Sequence, residues 1–516
     1  MKHLFTFLIS TCLSLISIAQ DSTAIKFAKT ITAEELKTHL SILASDEYEG
    51  RETGKKGQKM AAQYIRTFFV NNKLNPPTKD GYYQPFDLIF EDPTKVEFQI
   101  GNTDLEYLKD YFVFGSVGTY TTYSGFDFRG YGIEDELYSD FNAQKQNDVV
   151  VIYDGEPRDK NGKSLLTGKK EPGVWTNNRA KKRNLLIEKG YQLAIVIMPG
   201  FNTMSTNYEH YLTSEKTKLA DEHESDALPT IYVSEQTAEA LFTGRNSLDK
   251  IKKKFERKQL MPAFSNEIIV AAGVKNKHKT GQGENVIAIV EGSDKINELV
   301  IITAHYDHIG VDEGEVFNGA DDDGSGTVAV MEMAQAFKAA KEAGFGPRRT
   351  MVFMLVSGEE KGLLGSKYYT DHPIFPLENT VANLNIDMIG RVDEKHKGNP
   401  DYIYLIGSDK LSSDLHAISE AAAKEYSDLA LDYEFNDPND PNRFYYRSDH
   451  YNFAKNNIPV IFYFNGVHED YHKATDTVDK IDFNKMEKIS HLIFHTAWKL
   501  AHADERPEVD VINDFE

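Results

Sequence analysis

In the stretch ELVIITAHYDHIG, residues 298–310, an apolar segment gives way to polar residues, and the predicted fold depends on this change. An almost continuously apolar run ends there in His305 and Asp307. Such runs are typical of strands in a sheet that is covered on both faces. Because side chains alternate along a strand, these two residues, two positions apart, are predicted to face the same way.

From about residue 283 onward, similar apolar strand segments alternate with segments of helical periodicity. Strands are indicated by ENVIAIVEG, RTMVFMLVSGEE, TVANLNIDMIG and IPVIFYFNG, and helices by SGTVAVMEMAQAFKAAKEAG, GLLGSKYYT and NKMEKISHLIFHTAWKLAH. This alternation predicts an α/β fold with a mostly parallel central sheet flanked by helices. In such sheets, sites lie at strand ends and in the loops just beyond them.

Changes in composition and in hydrophobic periodicity divide the chain into five predicted parts. They are a signal peptide (1–20), an N-terminal helical part of the main domain (21–95), an inserted smaller β-rich module (96–265), the rest of the main domain (266–505) and an acidic tail (506–516).

The N-terminal residues MKHLFTFLISTCLSLISIAQ have the pattern of a cleaved signal peptide. A basic head at Lys2 precedes an apolar run from Leu4 to Ala19 and a small-residue segment. This pattern predicts export to the periplasm or the extracellular space. A membrane anchor is the alternative, but the run is only marginal for a span and no second stretch is long enough. Cys12 is the only cysteine, so a mature chain without it contains no disulfide and no thiolate metal site.

The overall charge excludes one class of partner. With 58 basic and 80 acidic residues, the chain has a net charge of -22. A protein that binds the phosphate backbone of nucleic acids is normally basic, so nucleic-acid binding is not expected. The acidity is typical either of a highly soluble protein or of one that binds cationic ligands such as metal ions and amino groups.

Candidate metal ligands follow two of the predicted strands. A metal-bound histidine needs its second ring nitrogen held, commonly by a carboxylate, and Asp307 is placed to serve His305 in this way or to be a ligand itself. Asp387, in NLNIDMIG, is predicted to lie inside an apolar strand. A carboxylate there is costly unless it is paired or bound to a metal.

The segment NGADDDGSGT, residues 318–327, places three carboxylates side by side before a helix. An EF-hand loop does not fit, because alignment on Gly324 puts Gly319 and Val330 where acidic ligands are required. Asp323 is predicted to serve the helix start, with a supporting role for Asp321. Capping a helix does not require three carboxylates, so a further role is indicated.

Two more segments supply acidic and histidine side chains. Glu359 and Glu360 are neighbours after a strand and point apart, so one can bind a metal while the other acts as a general base. His472 follows Tyr471 in EDYHKATDTVDK, a polar loop. Histidine and carboxylate ligands without cysteine suit two zinc ions, and two adjacent metals need a carboxylate that spans both.

In this order, AHYDHIG, NGADDDGSG, GEEKGLLGS, NIDMIG and YHKATDT resemble the co-catalytic di-zinc exopeptidase family. That family includes secreted bacterial aminopeptidases, glutamate carboxypeptidase and glutaminyl cyclase. The resemblance covers residues 283–503 and, more loosely, the N-terminal helical part. It implies the zinc exopeptidase fold, and the 96–265 module resembles the protease-associated domain that is often inserted in such enzymes.

The resemblance implies two Zn²⁺ per chain and a role for each matching residue. One zinc is implied for His305 and Asp387, and the other for Glu360 and His472. The bridging ligand is the fourth residue of the Gly-x-x-Asp-x-x-Ser-Gly frame, which is Asp322. The remaining implied roles are those of Glu359 as general base, Asp307 as the residue that orients His305, and Tyr471 as the site tyrosine, for which Tyr446 is a rival.

These roles predict a secreted aminopeptidase that hydrolyses the N-terminal bonds of peptides or proteins, using a water activated by two zinc ions. The site's surplus carboxylates would favour a free substrate amine. A carboxypeptidase or a cyclase of the same family is an alternative, since Arg391, Arg443 and Arg447 lie near the motifs. A non-catalytic receptor with the same fold is another. Cobalt or manganese are alternative metals, and the oligomeric state stays open.

Overall fold

A computed structural model of the chain describes residues 21–221, 228–242, 247–258, 261–275 and 278–512. The predicted signal peptide, with Cys12, lies outside these ranges. Within them, the structure has no helix with the length and apolar character needed to cross a membrane. Two compact units are present: one combines the chain up to Phe86 with the chain from Gly283 onward, and the other is Asp87–Gln282.

Helices and strands are numbered in chain order. The helices are α1 (Ser22–Ala28), α2 (Ala33–Leu43), α3 (Lys56–Asn71), α4 (Val174–Asn177), α5 (Arg179–Glu188), α6 (Phe201–Asn207), α7 (Glu209–Thr213), α8 (Glu235–Ala238), α9 (Leu248–Lys258), α10 (Gly326–Glu342), α11 (Leu364–Asp371), α12 (Ser413–Tyr426), α13 (His450–Ala454) and α14 (Phe483–His502).

The strands up to the end of the second unit are β1 (Tyr83–Glu91), β2 (Val96–Ile100), β3 (Thr103–Asp104), β4 (Tyr111–Val113), β5 (Thr121–Tyr123), β6 (Phe126–Arg129), β7 (Val149–Tyr153), β8 (Leu193–Ile197), β9 (Lys216–Leu219), β10 (Thr230–Val233), β11 (Ala263–Asn266) and β12 (Val270–Val274). The later strands are β13 (Lys279–Val290), β14 (Lys295–His305), β15 (Gly310–Asp312), β16 (Glu315–Phe317), β17 (Arg349–Val356), β18 (Thr380–Ile386), β19 (Tyr402–Ile406), β20 (Ala430–Asp432) and β21 (Val460–Phe464).

The first unit is built on a sheet with the strand order β20-β19-β21-β18-β14-β17-β13-β1. Its centre is parallel, since β14 pairs in parallel with β17 and β18, and β18 pairs in parallel with β21. Further out, β13 and β19 run antiparallel to their neighbours. The predicted α/β class with a mostly parallel sheet is therefore confirmed, with antiparallel strands outside the parallel centre.

Alternating side chains of the central strands fill two cores. Val300 and Ile302 of β14 belong to the larger core, which also contains the buried faces of α1, α2, α3, α10, α12 and α14. Ile301, between them, belongs to the second core, with Tyr369 of α11 and Phe453 of α13. Helices thus cover both faces of the sheet, which explains why its strands are continuously apolar.

One predicted strand ends earlier than its sequence suggested. Asp387 was expected inside a strand, but β18 ends at Ile386 and Asp387 is the first residue beyond it. The chain turns directly afterwards, where Met388 has a left-handed φ of 58°. The carboxylate of Asp387 therefore lies at the strand end, and not within the apolar strand itself.

The second unit has its own sheets and its own cores. Strands β11-β6-β7-β8-β10-β4 form one sheet, and β3-β2-β12-β5 form another. Strands β6, β7, β8 and β10 pair in parallel. The second half of β1, Leu88–Glu91, pairs antiparallel with β9. This unit contains the module predicted at 96–265, and its identity as a protease-associated domain stays a prediction.

Candidate metal centre

The predicted ligands come together beyond the carboxyl ends of three parallel strands. His305 is the last residue of β14, Asp387 follows β18, and the pair Glu359 and Glu360 follows β17 after a short turn. Because parallel strands end at the same edge of a sheet, these four side chains from three separate segments of the sequence meet there.

The loop NGADDDGSGT enters this edge between β16 and α10. Gly319 has a left-handed φ of 52°, and a Cβ atom at this position would lie 2.4 Å from the His308 ring. Only glycine fits such a backbone at such a contact. At the other end of the loop, the N–H of Gly326 donates to Asp323 Oδ1 at 2.8 Å, so Asp323 caps the start of α10.

The carboxylate of Asp322 lies between two groups of side chains. Its Oδ1 is 3.3 Å from His305 Nε2, and its Oδ2 is 3.1 Å from His472 Nε2. On the first side, Asp387 Oδ1 lies 3.7 Å from His305 Nε2. On the second, Glu360 Oε2 lies 3.2 Å from His472 Nε2. The arrangement gives two clusters that share one carboxylate.

A further histidine joins the second cluster. His308 Nδ1 lies 2.8 Å from Glu360 Oε1 and 3.9 Å from Asp322 Oδ2, and its side chain is fully buried. His308, Asp322 and Glu360 can offer ligand atoms that lie close enough together to hold one ion, as can His305, Asp322 and Asp387. Sequence reasoning gave His308 no role, although a second histidine three residues after the first, in AHYDHIG, was a usable signal.

Buried polar atoms in these clusters fit a bound cation. Among the described residues, His305 Nε2 and Asp322 Oδ2 are buried and find no hydrogen-bond partner, which is costly unless another group satisfies them. Burial alone lowers the pKa of His472, but the nearby carboxylates of Asp322 and Glu360 raise that pKa to about 10. The negative charge that retains this proton would equally stabilise a divalent cation. Nitrogen and oxygen donors without sulfur suit zinc.

Asp307 contacts the His305 ring through its backbone carbonyl and not, as expected, through its carboxylate. The ring Nδ1 of His305 donates to the backbone carbonyl of Asp307 at 3.1 Å, while the carboxylate Oδ1 is 3.8 Å away. That carboxylate accepts from Thr53 Oγ1 at 2.7 Å and from the N–H of Glu359 at 3.3 Å. Since β14 ends at His305, the alternation of a strand no longer governs Asp307.

Glu359 faces the first cluster, whereas its sequence neighbour Glu360 belongs to the second. Its Oε2 lies 4.0 Å from His305 Nε2. Burial, followed by the negative charges of Glu360, Asp387 and Asp449, raises the pKa of Glu359 well above its usual range against the opposing effect of His305. A carboxyl group with a raised pKa is suited to accepting and returning a proton.

A small cavity opens beside Glu359. It is bounded by Asp322, Asp387 and His472 and by a largely apolar wall of Met388, Phe444, Phe462, Phe464 and Val467, with Tyr471 and Arg447 completing the lining. Tyr471 stacks on His472 with ring centroids 3.9 Å apart. Its rival Tyr446 does not line this cavity and packs against Tyr451.

A buried network supports Asp322 from behind. Asp321 accepts from the N–H of Gly390 at 2.6 Å and lies 3.3 Å from His468 Nε2, while Asp476 accepts from the backbone N–H groups of Asp321 and Asp322. Arg51 is buried and donates to the carbonyl of Gly319 at 2.9 Å. The supporting role of Asp321 thus has a structural basis, and sequence reasoning missed the other three side chains.

An α/β sheet that gathers histidines and carboxylates around one shared aspartate defines a candidate two-metal centre. Residues 285–497 match the family model described as Peptidase family M28. All the candidate ligands lie inside this match, and the resemblance inferred from the five motifs is confirmed for this part of the chain.

Curated relatives agree with this match. Aminopeptidase YwaD of Bacillus subtilis (strain 168) is 27% identical over 248 residues, which is 46% of this chain and 49% of that protein. A probable leucine aminopeptidase of Trichophyton verrucosum (strain HKI 0517) is 32% identical over 43% of this chain and 58% of that protein. The chain thus spans about half the length of the curated relatives it matches.

Among solved structures, an aminopeptidase from Aneurinibacillus sp. strain AM-1 has the same fold. Its TM-score is 0.54 at 18% identity, over 95% of this chain and 98% of that one. At this identity the similarity concerns the fold and not the chemistry.

Proposed function

We propose that the chain is a zinc-dependent aminopeptidase with two zinc ions per chain. The observation that carries this proposal is Asp322, which directs one carboxylate oxygen to the cluster of His305 and the other to the cluster of His472. A carboxylate shared in this way is what two adjacent metal ions require. The names of the curated relatives support the same activity.

In this proposal, His305, Asp322 and Asp387 hold one zinc, and Asp322, Glu360 and His472 hold the other. His308 is a further nitrogen donor available to the second ion. Zinc ions bound there would supply Lewis acidity toward a peptide carbonyl and an attacking water.

The protein's own groups then handle protons and charge. Glu359 accepts a proton from the attacking water and delivers it to the leaving amine. Tyr471 lines the same cavity as Glu359, and its hydroxyl would donate a hydrogen bond to the carbonyl oxygen as that oxygen gains negative charge. Asp307 orients His305 through its backbone carbonyl.

The cavity wall favours peptides with an apolar N-terminal residue. Phe444, Phe462, Phe464 and Val467 offer apolar surface beside the carboxylates, and burying an apolar side chain there stabilises the complex. The acidic side chains of the site attract the free amine of the substrate.

A carboxypeptidase is the second candidate because Arg447 lines this cavity. The other arginines near the motifs are engaged elsewhere: Arg391 donates to Asp470 at 2.9 Å, and Arg443 lies over the Tyr446 ring. Of these three, Arg447 lines the cavity, where it lies over the Phe444 ring and donates to the Tyr471 hydroxyl at 3.5 Å.

Three versions of one leucine-leading peptide separate the two candidates: free, N-acetylated and C-amidated. An aminopeptidase cleaves the free and amidated peptides, spares the acetylated one and loses activity with a chelator. Cleavage of the acetylated peptide from its free C-terminus, abolished by Arg447→Ala, would establish the carboxypeptidase instead. If zinc-loaded, folded protein cleaves no peptide, the non-catalytic alternative holds.

We also propose that residues 1–20 direct export and are then removed, on the pattern of a basic head followed by an apolar run. Sequencing the N-terminus of exported protein tests this, since a start at Met1 would contradict it. The second unit is proposed to be a protease-associated domain, on its β-rich pattern and its position within the main domain.

A further inference from the structure

The second unit contains a large cavity that takes no part in the chemistry above. Its volume is about 740 Å³, and every residue that lines it lies between Glu91 and Tyr232. Cavities of this size are typical of sites for small organic molecules. It is much the larger of the two cavities described, and the candidate metal centre does not border it.

One wall of the cavity is the face of a parallel sheet. Ile152 of β7, Val196 of β8 and Tyr232 of β10 are direct neighbours across the strands. Ala194 and Thr230, each two residues earlier along β8 and β10, extend the same face of the sheet. This wall is therefore mostly apolar and flat.

A helix face with an unusual composition also lines the cavity. Arg179, Lys182, Arg183 and Leu186 of α5 line the cavity at the spacing of one helical face. Of the three cations, Lys182 is buried and Arg179 and Arg183 are exposed, and like charges four residues apart destabilise a helix. Basic residues near the helix N-terminus are also unfavourable with the helix dipole. Lys182 donates to the carbonyl of Gly155 at 2.7 Å, but in the described part of the chain no such hydrogen bond accounts for Arg179 or Arg183.

The charges around the cavity do not balance. The described residues of the lining also include Lys216, Lys218, Glu91 and Asp154, so five cations and two carboxylates give these residues a net charge of +3, in a chain of net charge -22. Lys218 is paired with Glu91 at 2.6 Å. Neither Arg179 nor Arg183 has a carboxylate partner within the described ranges.

Aromatic rings lie next to the unbalanced charge. The Arg179 guanidinium lies 5.6 Å from the Phe114 ring centre and 5.7 Å from that of Tyr232, and Trp175 also lines the cavity. Burial lowers the pKa of Lys182 to about 8, although Asp154, Asp140 and Glu156 oppose this and Arg179 adds to it. An anion in the cavity would relieve this cost.

We propose that this cavity binds a small organic anion in which a carboxylate or phosphate group is attached to an aromatic ring. The guanidinium groups of Arg179 and Arg183 bind the oxyanion, since their planar donors match carboxylate and phosphate geometry. Phe114, Tyr232 and the apolar sheet face receive the ring. This binding is independent of the proposed peptidase activity.

Trp175 gives a local readout in the full-length, zinc-loaded protein. The chain has two tryptophans, so Trp498→Phe leaves Trp175 as the only one. We expect phenyl phosphate or benzoate to change its fluorescence saturably, with Kd below about 1 mM, and neutral benzyl alcohol to cause no change at the same concentrations. The stronger of the two anions identifies the oxyanion that the cavity prefers.

Charge-removing variants assign the effect to the cavity. The double variant Arg179→Gln/Arg183→Gln is expected to weaken binding at least tenfold, whereas Lys189→Gln, which removes a cation from the same segment outside the cavity, leaves it unchanged. Arg183→Gln alone, at an exposed position, serves if the double variant does not fold. Unaltered affinity in the arginine variants, or no response to either anion, would overturn the proposal. Inorganic phosphate binding as tightly as phenyl phosphate would overturn its aromatic part.

Discussion

At the scale of single residues, Glu359 and Glu360 are sequence neighbours with separate surroundings. Glu360 contacts His308 and His472, whereas Glu359 faces His305 and the cavity. We therefore expect Glu359→Gln to keep both zinc ions and to lower kcat about 10²- to 10⁴-fold, the usual contribution of a general base. Zinc per chain after dialysis and kcat on a leucine anilide measure this. Glu360→Gln, the matched control, should lose zinc, and equal loss in both would contradict the assignment.

The three adjacent aspartates are not equivalent. Asp322 touches both clusters, but Asp321 contacts Gly390 and His468 behind them. Asp322→Asn is expected to weaken both zinc sites together, and Asp321→Asn to spare at least one. Metal titration of the two purified variants decides, because comparable zinc content would rule out Asp322 as the bridge.

The two histidines of the second cluster allow a similar comparison. His472 is partly exposed, whereas His308 is fully buried against Glu360. If both donate to the second ion, His308→Ala and His472→Ala should each reduce zinc from two ions toward one and leave the ion at His305 bound. A His308→Ala variant with two tightly held zinc ions would restrict His308 to positioning Glu360.

The sequence named most of these side chains before their geometry was known. Its five motifs are local, and each combines a strand end with a polar residue, so the residue type was informative by itself. His308 was missed because it lies beyond the end of β14 at His305, where strand alternation no longer indicates the direction of a side chain. Asp476 and Arg51 were missed because their contacts join segments more than 150 residues apart, which no single-sequence pattern encodes.

At the scale of elements, periodicity predicted the strands and helices of the first unit well. The helix predicted from SGTVAVMEMAQAFKAAKEAG appears as α10, and RTMVFMLVSGEE contains β17. Errors arose at boundaries, as at Asp387, because the end of a strand depends on backbone pairing and not on residue type. Strand order was not predictable either, since β13, β14 and β17 pair out of chain order.

The long closing helix α14 yields a prediction about acid stability. His495 is buried on this helix and its ring stacks on Tyr426, with centroids 3.9 Å apart. Burial, followed by the positive charges of His491 and Lys499, lowers the pKa of His495 to about 4. Below pH about 6.5, His495 therefore binds a proton in the unfolded chain but stays neutral in the folded chain. The free energy of unfolding consequently falls as the pH is lowered from about 6.5 to about 4.

Replacing this histidine by an uncharged ring should remove that loss. Between pH 6.5 and 5, we expect His495→Phe to lose about 1.6 kcal/mol less stability than the original chain, because the slope rises from half to nearly all of about 1.4 kcal/mol per pH unit over this range. Urea unfolding of both proteins with chelator present measures the difference without a contribution from zinc. Parallel pH dependence in the two proteins would show that His495 does not titrate as described.

At the scale of the whole molecule, the two units differ in what they are expected to bind. Both candidate metal clusters lie in the first unit, and the cationic cavity lies in the second. Each unit has its own buried core, so each is expected to unfold as a separate transition. Ligands should then act on one transition at a time.

Removal of zinc provides the sharpest test of this division. A ligand that binds only the folded state stabilises it by about 4 kcal/mol at a thousandfold excess over Kd. Chelation should thus lower the Tm of one calorimetric transition by several degrees and leave the other in place. Glu359→Gln, which keeps its zinc, should show the same shift, and Asp322→Asn a much smaller one. A chelator that moved both transitions equally, or that moved neither, would contradict a metal centre confined to the first unit.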